Sequence, residues 1–228
     1  MSSHTEVDRH IDAVVFDLGG VLLDWDPRNL YRKLFADEER MEFFLREVCT
    51  PQWHDAHDRG VPTAASCAEL ATRYPEWASL IAAWAERGEE MVAGPIEASV
   101  DVLRDLEAGG LPRYALTNME AETYPLRLQR FEFLGWFDGT VVSGLEGIAK
   151  PDPEIFLRLL DRFGLTGSRT LMIDDRLENL VVAEQLGMPT IHFHSSQQLR
   201  DRLESLWLLR PRTGRRKALS SQEGSRFG

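Results

Sequence analysis

The feature that most constrains the fold is a short apolar run that is followed at once by a carboxylate and two glycines. Residues 13–16, Ala-Val-Val-Phe, are continuously apolar, which is typical of a strand buried on both faces of a parallel sheet. Asp17 ends this run, and Gly19 and Gly20 follow it. Open α/β sheets bind ligands at the carboxyl ends of their strands, which is where Asp17 would lie. Because paired glycines permit positive φ and leave backbone groups open to a bound anion, this stretch predicts an active site.

Further along the chain, short apolar runs alternate with amphipathic segments of helical spacing. The runs predict four more buried strands, at residues 114–116, 139–142, 170–173 and 189–192. The intervening helices are predicted at about residues 96–108, 121–131, 153–163, 177–186 and 197–208. Strands that alternate with helices of this length indicate βαβ units with right-handed crossovers. The predicted fold class is therefore α/β, with a mostly parallel sheet.

One long segment interrupts this alternation. Residues 28–93 show helical spacing without strand-like alternation, and they include predicted helices at 63–73 and about 77–91. Pro27 precedes the segment and Gly94-Pro95 follows it, and both are signals that break regular structure. We therefore expect an all-helical insertion at residues 28–93 between two parts of one core, residues 1–27 and 94–209.

The composition excludes some classes of function. The chain has 228 residues and is 43% hydrophobic, as ordinary soluble globular proteins are. Its net charge of −11 argues against a general affinity for nucleic acid or for anionic membranes. Cys49 and Cys67 form no Cys-x-x-Cys pair, and they are expected to pack as small hydrophobes. Since the sequence also shows no signal segment and no run of 18 apolar residues, we expect a cytoplasmic protein.

The last residues differ in charge from the rest. Residues 210–228 contain six Lys or Arg residues against Glu223 alone, and they are otherwise polar. We expect a disordered basic tail, with an arm that binds nucleic acid or a partner as the alternative.

Four places on the predicted sheet edge offer polar groups: Asp17, the pair Thr117-Asn118, Lys150 and the pair Asp174-Asp175. Taken singly, each fits a simpler role as a turn residue, a helix cap or a surface charge. The adjacent aspartates are the hardest to explain in this way, because like charges side by side cost free energy unless a cation or donors compensate them.

Together these groups suit phosphoryl transfer. Asp17 would attack phosphorus and form an aspartyl-phosphate, which water then hydrolyses. Asp17 and Asp175 would hold Mg²⁺, a hard cation that prefers carboxylate and carbonyl oxygens, with the backbone carbonyl of Gly19 as a further ligand. Lys150 and Thr117 would neutralise the charge on the phosphoryl oxygens.

The sequence motifs resemble those of the haloacid dehalogenase superfamily of hydrolases, in the subfamily with a helical cap between the first two motifs. The motifs are Phe-Asp-Leu-Gly-Gly-Val-Leu (16–22), Leu-Thr-Asn (116–118), Lys-Pro-Asp-Pro (150–153) and Ile-Asp-Asp-Arg-Leu-Glu-Asn (173–179). The resemblance spans about residues 12–208, in the order and spacing of the family. It implies a Rossmann-like, three-layer core with strand order 5-4-1-2-3, together with a helical cap.

The resemblance also implies roles for individual residues. The implied site consists of the nucleophile Asp17, the phosphate-binding Thr117 and Asn118, the orienting Lys150, the metal ligand Asp175 and the supporting Asp174 and Asn179. Mg²⁺ is the implied cofactor, and the implied substrate is a small phosphorylated metabolite. We expect no nucleic-acid or membrane partner, and a monomer or a homodimer.

One position departs from the family pattern. Phosphatases of this family usually carry an aspartate two residues after the nucleophile, as acid for the leaving group and base for water, and Gly19 stands there. General acid–base catalysis contributes typically about 10²–10⁴-fold, so the difference matters. Three explanations are open. The leaving group of the substrate needs little protonation, or another group such as Asp24, Asp26 or a cap residue replaces the aspartate. In the third, the protein catalyses weakly and acts as a binding or regulatory protein.

The glycine also keeps a second reaction open. Haloacid dehalogenases of the same superfamily lack that aspartate and displace halide without a metal, so 2-haloacid dehalogenation is the alternative function. Their acidic motif generally lacks the adjacent pair that this chain keeps as Asp174-Asp175, which favours a phosphatase. Related sugar-1-phosphate phosphatases carry a similar Asp-Leu-Gly opening, so a sugar phosphate is the favoured substrate class.

The predicted cap contains a crowded polar stretch at residues 53–60. His54 and His57 have a spacing that allows metal binding, but a third ligand is not evident, and ordinary packing is the simpler interpretation. The candidates for substrate contact from the cap are Trp25, Trp53 and His54. His192 and His194, at the end of the last strand, are expected to be surface residues.

Overall fold

The computed structural model of the chain describes residues 10–211. Residues 1–9 and 212–228 lie outside the described part, so the prediction of a disordered basic tail falls almost entirely outside it. The strands are β1 Ala13–Phe16, β2 Leu23–Trp25, β3 Val92–Pro95, β4 Arg113–Thr117, β5 Gly139–Val142, β6 Thr170–Asp174 and β7 Thr190–His192. The helices are α1 Arg28–Tyr31, α2 Glu38–Phe43, α3 Pro51–Asp58, α4 Thr63–Arg73, α5 Ala78–Glu86, α6 Glu97–Ala108, α7 Tyr124–Arg130, α8 Ser143–Glu146, α9 Pro153–Arg162, α10 Leu177–Gln185 and α11 Ser196–Ser205.

The main sheet has five parallel strands in the order β5-β4-β1-β6-β7. When these five strands are counted by themselves along the chain, this is the predicted order 5-4-1-2-3, so the prediction is confirmed. β1 lies at the centre, with Val15 level with Tyr114 of β4 on one side and Met172 of β6 on the other. Asp17 therefore leaves the middle strand at the carboxyl edge of the sheet.

Helices cover both faces of the sheet, because successive side chains of a strand point to opposite sides. Val14 and Phe16 pack with residues of α6 and α11, whereas Val15 packs with residues of α9 and α10. The result is the predicted three-layer α/β core, and the residues of β1 are at most 1% exposed. Full burial on both faces explains why these strands read as continuous apolar runs.

The segment between β2 and β3 is helical and has an apolar cluster of its own. The cluster includes Tyr31, Phe44 and Ile81, each of which is fully buried. Cys49 and Cys67 are free thiols inside the same cluster, which agrees with their predicted packing role. A π-helical stretch, Phe44–Val48, extends α2.

A short antiparallel ribbon corrects one prediction about this segment. β2 and β3 pair with each other, with Leu23 opposite Pro95, and so join the two ends of the helical segment. The expectation of helix through residue 93 is wrong at its last two residues, because a 3₁₀ helix, Gly88–Met91, follows α5 and Val92 then begins β3. Strands of three and four residues are too short to show alternation in a sequence.

Within residues 10–211, no helix has both the length and the apolar character that crossing a bilayer requires.

Candidate active site

One cavity of about 290 Å³ lies at the carboxyl edge of the sheet. Asp17 follows β1, Thr117 ends β4 and Asp175 follows β6, and all three line this cavity together with Lys150. Parallel strands bring their carboxyl ends to a single edge, so residues far apart in sequence meet here. Trp25, at the end of β2, also lines the cavity, and the helical segment adds the α3 residues His54, Asp55 and Asp58.

Lys150 forms a buried ion cluster with two aspartates. Its Nζ lies 2.9 Å from Oδ1 of Asp17 and donates to Oδ2 of Asp174 at 2.7 Å. Lys150 is 3% exposed, Asp17 7% and Asp174 fully buried. Burial lowers the pKa of Lys150, but the carboxylates of Asp17 and Asp174 outweigh this and raise it. Lys150 is therefore a fixed ammonium beside the Asp17 carboxylate.

Asp174 is held by donors on both of its oxygens. Asn179 Nδ2 donates to Oδ1 and Oδ2 at 3.0 Å each, and the Arg176 backbone N–H donates to Oδ1 at 2.9 Å. With Lys150 as a further donor, Asp174 is occupied by protein groups. Its role in the structure is to position Lys150, whereas the adjacent Asp175 borders the cavity.

The loop before α9 is fixed by Asn118. Asn118 Nδ2 donates to the Lys150 carbonyl at 2.9 Å, and the Lys150 backbone N–H donates to Asn118 Oδ1 at 2.8 Å. Both polar atoms of this side chain therefore contact the main chain of Lys150. The side-chain amide of Asn118 is thus already occupied by these hydrogen bonds. Thr117 is 1% exposed, and its hydroxyl lies 3.5 Å from the Asn118 carbonyl oxygen, so it is not tied by a short hydrogen bond.

The aspartates fit a divalent cation. Asp17, Asp174 and Asp175 each offer an oxygen within 4.8 Å of the others. Burial raises the pKa of Asp17 to about 7, since the Lys150 ammonium only partly offsets burial and the Asp174 and Asp175 charges add to it. The three carboxyl groups have only the Lys150 ammonium to balance their negative charge, so a further cation would stabilise them. Their oxygen atoms are ligands that suit Mg²⁺. Asp17 and Asp175 are the side chains available to hold it, beside the backbone of Gly19.

Gly20 is required by the closeness of Asp175. Gly20 has φ of 72°, and a Cβ atom on it would lie 2.5 Å from Oδ2 of Asp175. Gly19, by contrast, has no heavy atom within 4 Å of a Cβ position. The two glycines of the motif thus differ in what surrounds them. Gly20 leaves space for the Asp175 carboxylate, whereas Gly19 borders open space.

The histidines of α3 do not form the metal pair considered from the sequence. His57 is fully buried outside the cavity lining, neither ring nitrogen has a hydrogen-bond partner, and its ring packs edge-on against Trp53 at 4.4 Å. His54 lines the cavity and stacks on Trp25 at 5.1 Å. The group that offers ligand atoms within 4.8 Å of one another is instead His54, Asp55 and Asp58. Burial lowers the pKa of both histidines to about 4, so both are neutral at neutral pH.

Other cavity residues were missed from the sequence. Glu120 and Thr123 follow the Thr117-Asn118 pair in the loop after β4, and Arg127 lies on α7. Arg127 is 3% exposed and has one ion pair, from Nε to Oε1 of Glu89 at 3.3 Å. The available signal was a run of polar residues after a strand end, but the sequence predicts a helix at about residues 121–131, which includes Thr123 and Arg127.

His192 is another correction. It was expected at the surface, but its Nε2 lies 2.9 Å from the backbone carbonyl oxygen of Asp175, so it supports the loop that carries this carboxylate. Its ring also packs 4.1 Å from that of His194.

The family is decided by comparison with known proteins. A family model for haloacid dehalogenase-like hydrolases matches residues 11–187. The chain belongs to this family. A sesquiterpene phosphatase of Aspergillus oryzae is 29% identical over 186 residues, which are 81% of this chain and 90% of that protein. A phosphorylated carbohydrates phosphatase of Thermotoga maritima is 23% identical over 195 residues, 80% of this chain and 84% of that one.

A solved structure of similar fold also belongs to this family. It is a HAD family enzyme from Bacteroides thetaiotaomicron in complex with magnesium and inorganic phosphate, with a TM-score of 0.60 and 23% identity. The match covers 81% of this chain and 95% of that one. The predicted family and α/β fold are thus confirmed, and the chain is a hydrolase of the haloacid dehalogenase superfamily.

Proposed function

We propose that this hydrolase is a Mg²⁺-dependent phosphatase that acts through an aspartyl-phosphate on Asp17. The observation that carries the proposal is the cluster in which Asp17 meets Lys150 at 2.9 Å, with Asp175 close enough to share a cation. The retained acidic pair Asp174-Asp175 favours phosphate over halide, because it supplies a hard-cation site that halide displacement does not need.

The residues divide the first chemical step among them. Asp17 supplies the attacking oxygen, and Lys150 holds positive charge beside the phosphoryl oxygens where charge develops. Thr117 adds a hydroxyl, while Asn118 and Asp174 keep Lys150 in place. Mg²⁺ held by Asp17 and Asp175 would supply further positive charge to the phosphoryl group. Water then attacks phosphorus and releases phosphate from Asp17.

The helical segment fits the role of a cap. Residues 28–93 include the α3 side chains that line the cavity, so closure of this segment would separate the phosphoryl group from bulk water. We propose it as a cap on a core formed by residues 1–27 and 94–209. The buried free thiols Cys49 and Cys67 suit a reducing cytoplasm.

The cavity favours a small, polar substrate. Its volume of about 290 Å³ suits a metabolite, and its wall includes Asp55, Glu120 and Thr123, which can bind hydroxyl groups. A sugar phosphate, such as a sugar 1-phosphate, therefore remains our favoured substrate class. The relative from Thermotoga maritima, a phosphatase of phosphorylated carbohydrates, supports this choice.

A substrate screen tests the proposal. Phosphate release is measured from sugar phosphates, nucleotides and an aryl phosphate, with Mg²⁺ or with a chelator, for the wild type and Asp17→Asn. We expect turnover that requires both Mg²⁺ and Asp17. Chelator-resistant halide release from a 2-haloacid would instead establish the dehalogenase reaction that Gly19 keeps open. Activity on neither class would support a binding or regulatory protein.

A further inference from the structure

We propose that Asp58, on helix α3, takes the place of the aspartate missing at position 19. It would donate a proton to the leaving oxygen and then accept one from the attacking water. This inference rests on the proposed phosphatase function. It assigns to the helical segment a catalytic residue, in addition to its role in covering the site.

The two other aspartates considered from the sequence lie elsewhere. The carboxylate of Asp26 accepts from the Arg28 backbone N–H at 2.8 Å and from its guanidinium at 3.3 Å, so it starts α1. Asp24 is an exposed residue of β2. Neither borders the cavity that contains Asp17.

Asp58 lies on the wall of the cavity that contains Asp17. It is 6% exposed and lines the same cavity as Asp17, Thr117 and Lys150. Within residues 10–211 its carboxyl makes no hydrogen bond to the protein, and its nearest ionic partner is His54 Nδ1 at 4.0 Å. A carboxyl that is buried against the cavity and unbonded is free to meet a substrate oxygen.

Burial, together with neighbouring carboxylates, raises the pKa of Asp58. Burial, followed by the charges of Glu120, Asp55 and Asp17, raises its pKa to about 8, and Lys150 opposes this in part. Asp58 is therefore mostly protonated at neutral pH. A carboxyl with a pKa near the working pH is suited both to give and to take a proton.

Asp55, His54 and Glu120 line the cavity wall near Asp58. His54 is neutral at neutral pH, because burial lowers its pKa to about 4, so it is a poorer donor. Burial also raises the pKa of Glu120, although the Arg127 charge opposes this, so Glu120 is the carboxyl that the test must separate from Asp58.

The chain fixes the end of α3 on the core. Gly60, two residues after Asp58, has φ of 89°, and a Cβ atom there would lie 3.0 Å from the backbone oxygen of Gly144. Gly144 belongs to α8, and its N–H donates to the Met119 carbonyl at 3.0 Å, in the loop after β4. Close backbone contacts thus link the end of α3, which carries Asp58, to the loop that follows Thr117.

Asp58 gives up one proton in the first step and regains one in the second. Asp17 forms a bond to phosphorus as the bond from phosphorus to the leaving oxygen breaks, and that oxygen takes the proton of Asp58 to become an alcohol. Asp58 is then a carboxylate. It takes a proton from the water that attacks phosphorus, the bond between Asp17 and phosphorus breaks, and phosphate leaves. Asp58 ends protonated, as it began.

The test compares Asp58→Asn with wild type on two esters, para-nitrophenyl phosphate and an alkyl phosphate. The first has a leaving group that needs no proton, whereas the second needs one. We expect the rate of the first step, measured as the initial release of the alcohol or phenol, to fall roughly 10²–10⁴-fold on the alkyl ester and much less on the aryl ester. Wild-type kcat on the alkyl ester should decline as the pH rises past about 8, and the variant should lose that limb.

A second readout separates catalysis from structure. Since Asp58→Asn also lacks the base for the second step, quenched samples should contain more phosphorylated Asp17 than wild type does. Asp24→Asn is the matched control and should behave as wild type on both esters. Glu120→Gln tests the neighbouring carboxyl.

The outcomes are distinct. Equal losses on both esters without accumulation of phosphorylated Asp17, or an ester-dependent loss in Glu120→Gln instead of Asp58→Asn, would overturn the assignment of Asp58 alone. A wild-type protein that hydrolyses neither ester would refute the proposed function, and the role of Asp58 with it.

Discussion

Replacing Lys150 with methionine should destabilise the protein more than replacing any surface lysine. The change removes the ammonium that lies 2.9 Å from Asp17 and 2.7 Å from Asp174, and it leaves two buried carboxylates without a cation. Removing one partner of a buried ion pair costs about 3–5 kcal/mol, because the remaining charge stays away from water. For a chain of this size, that loss corresponds to a fall in Tm of roughly 6–20 °C.

The matched control is Lys33→Met. The Lys33 side chain is 53% exposed and lies 2.8 Å from Glu90, and exposed pairs of this kind contribute about 0–1 kcal/mol. Urea unfolding with a chelator present measures both variants without a divalent cation to compensate. Adding Asp174→Asn to Lys150→Met removes one of the unpaired charges and should restore part of the lost stability. Equal free energies of unfolding for Lys150→Met and Lys33→Met would refute the reasoning.

Three further predictions follow from single contacts. Gly20→Ala should lose activity and weaken the Mg²⁺ dependence, because its Cβ would lie 2.5 Å from Asp175 at φ of 72°, and titration of activity with Mg²⁺ measures this. Buried His57 should contribute a loss of folding stability as the pH drops from 6.5 to about 4, since the unfolded chain takes up a proton that His57 does not, while the raised pKa values of Asp17 and Asp58 act in the opposite direction; the urea midpoint of His57→Phe should therefore rise relative to that of wild type as the pH falls across this window. Gly19→Asp should rescue Asp58→Asn on an alkyl phosphate, because the position at Gly19 is open, and steady-state kcat shows whether it does.

The sequence was sufficient to predict the core because its central strands, β1 and β6, are buried along their whole length. The strand Gly139–Val142 and the helix Thr63–Arg73 have the predicted bounds. Continuous apolar runs between glycines and polar strand ends are local signals, and so they can be read without a structure. The convergence of Asp17, Lys150 and Asp175 followed from parallel topology, which brings all carboxyl ends to one edge.

Other features depend on contacts between distant parts of the chain. β2 and β3 pair Leu23 with Pro95, and neither strand is long enough to be recognised alone. Asp58 belongs to the site only because α3 packs near α8, and its burial cannot be read from a helix that also carries the exposed Asp55. The side-chain amide of Asn118 contacts the main chain of Lys150, 32 residues away, which the sequence does not indicate. Tertiary packing decides each of these.

The central claim is that the Asp17 carboxylate becomes covalently phosphorylated during turnover. The most direct measurement is mass spectrometry of peptides from enzyme quenched with acid while it hydrolyses para-nitrophenyl phosphate in the presence of Mg²⁺. We predict a phosphoryl group on the peptide that contains Asp17, and none on that peptide from Asp17→Asn. Steady turnover with an unmodified Asp17 peptide, or with the phosphoryl group on another residue, would contradict the account.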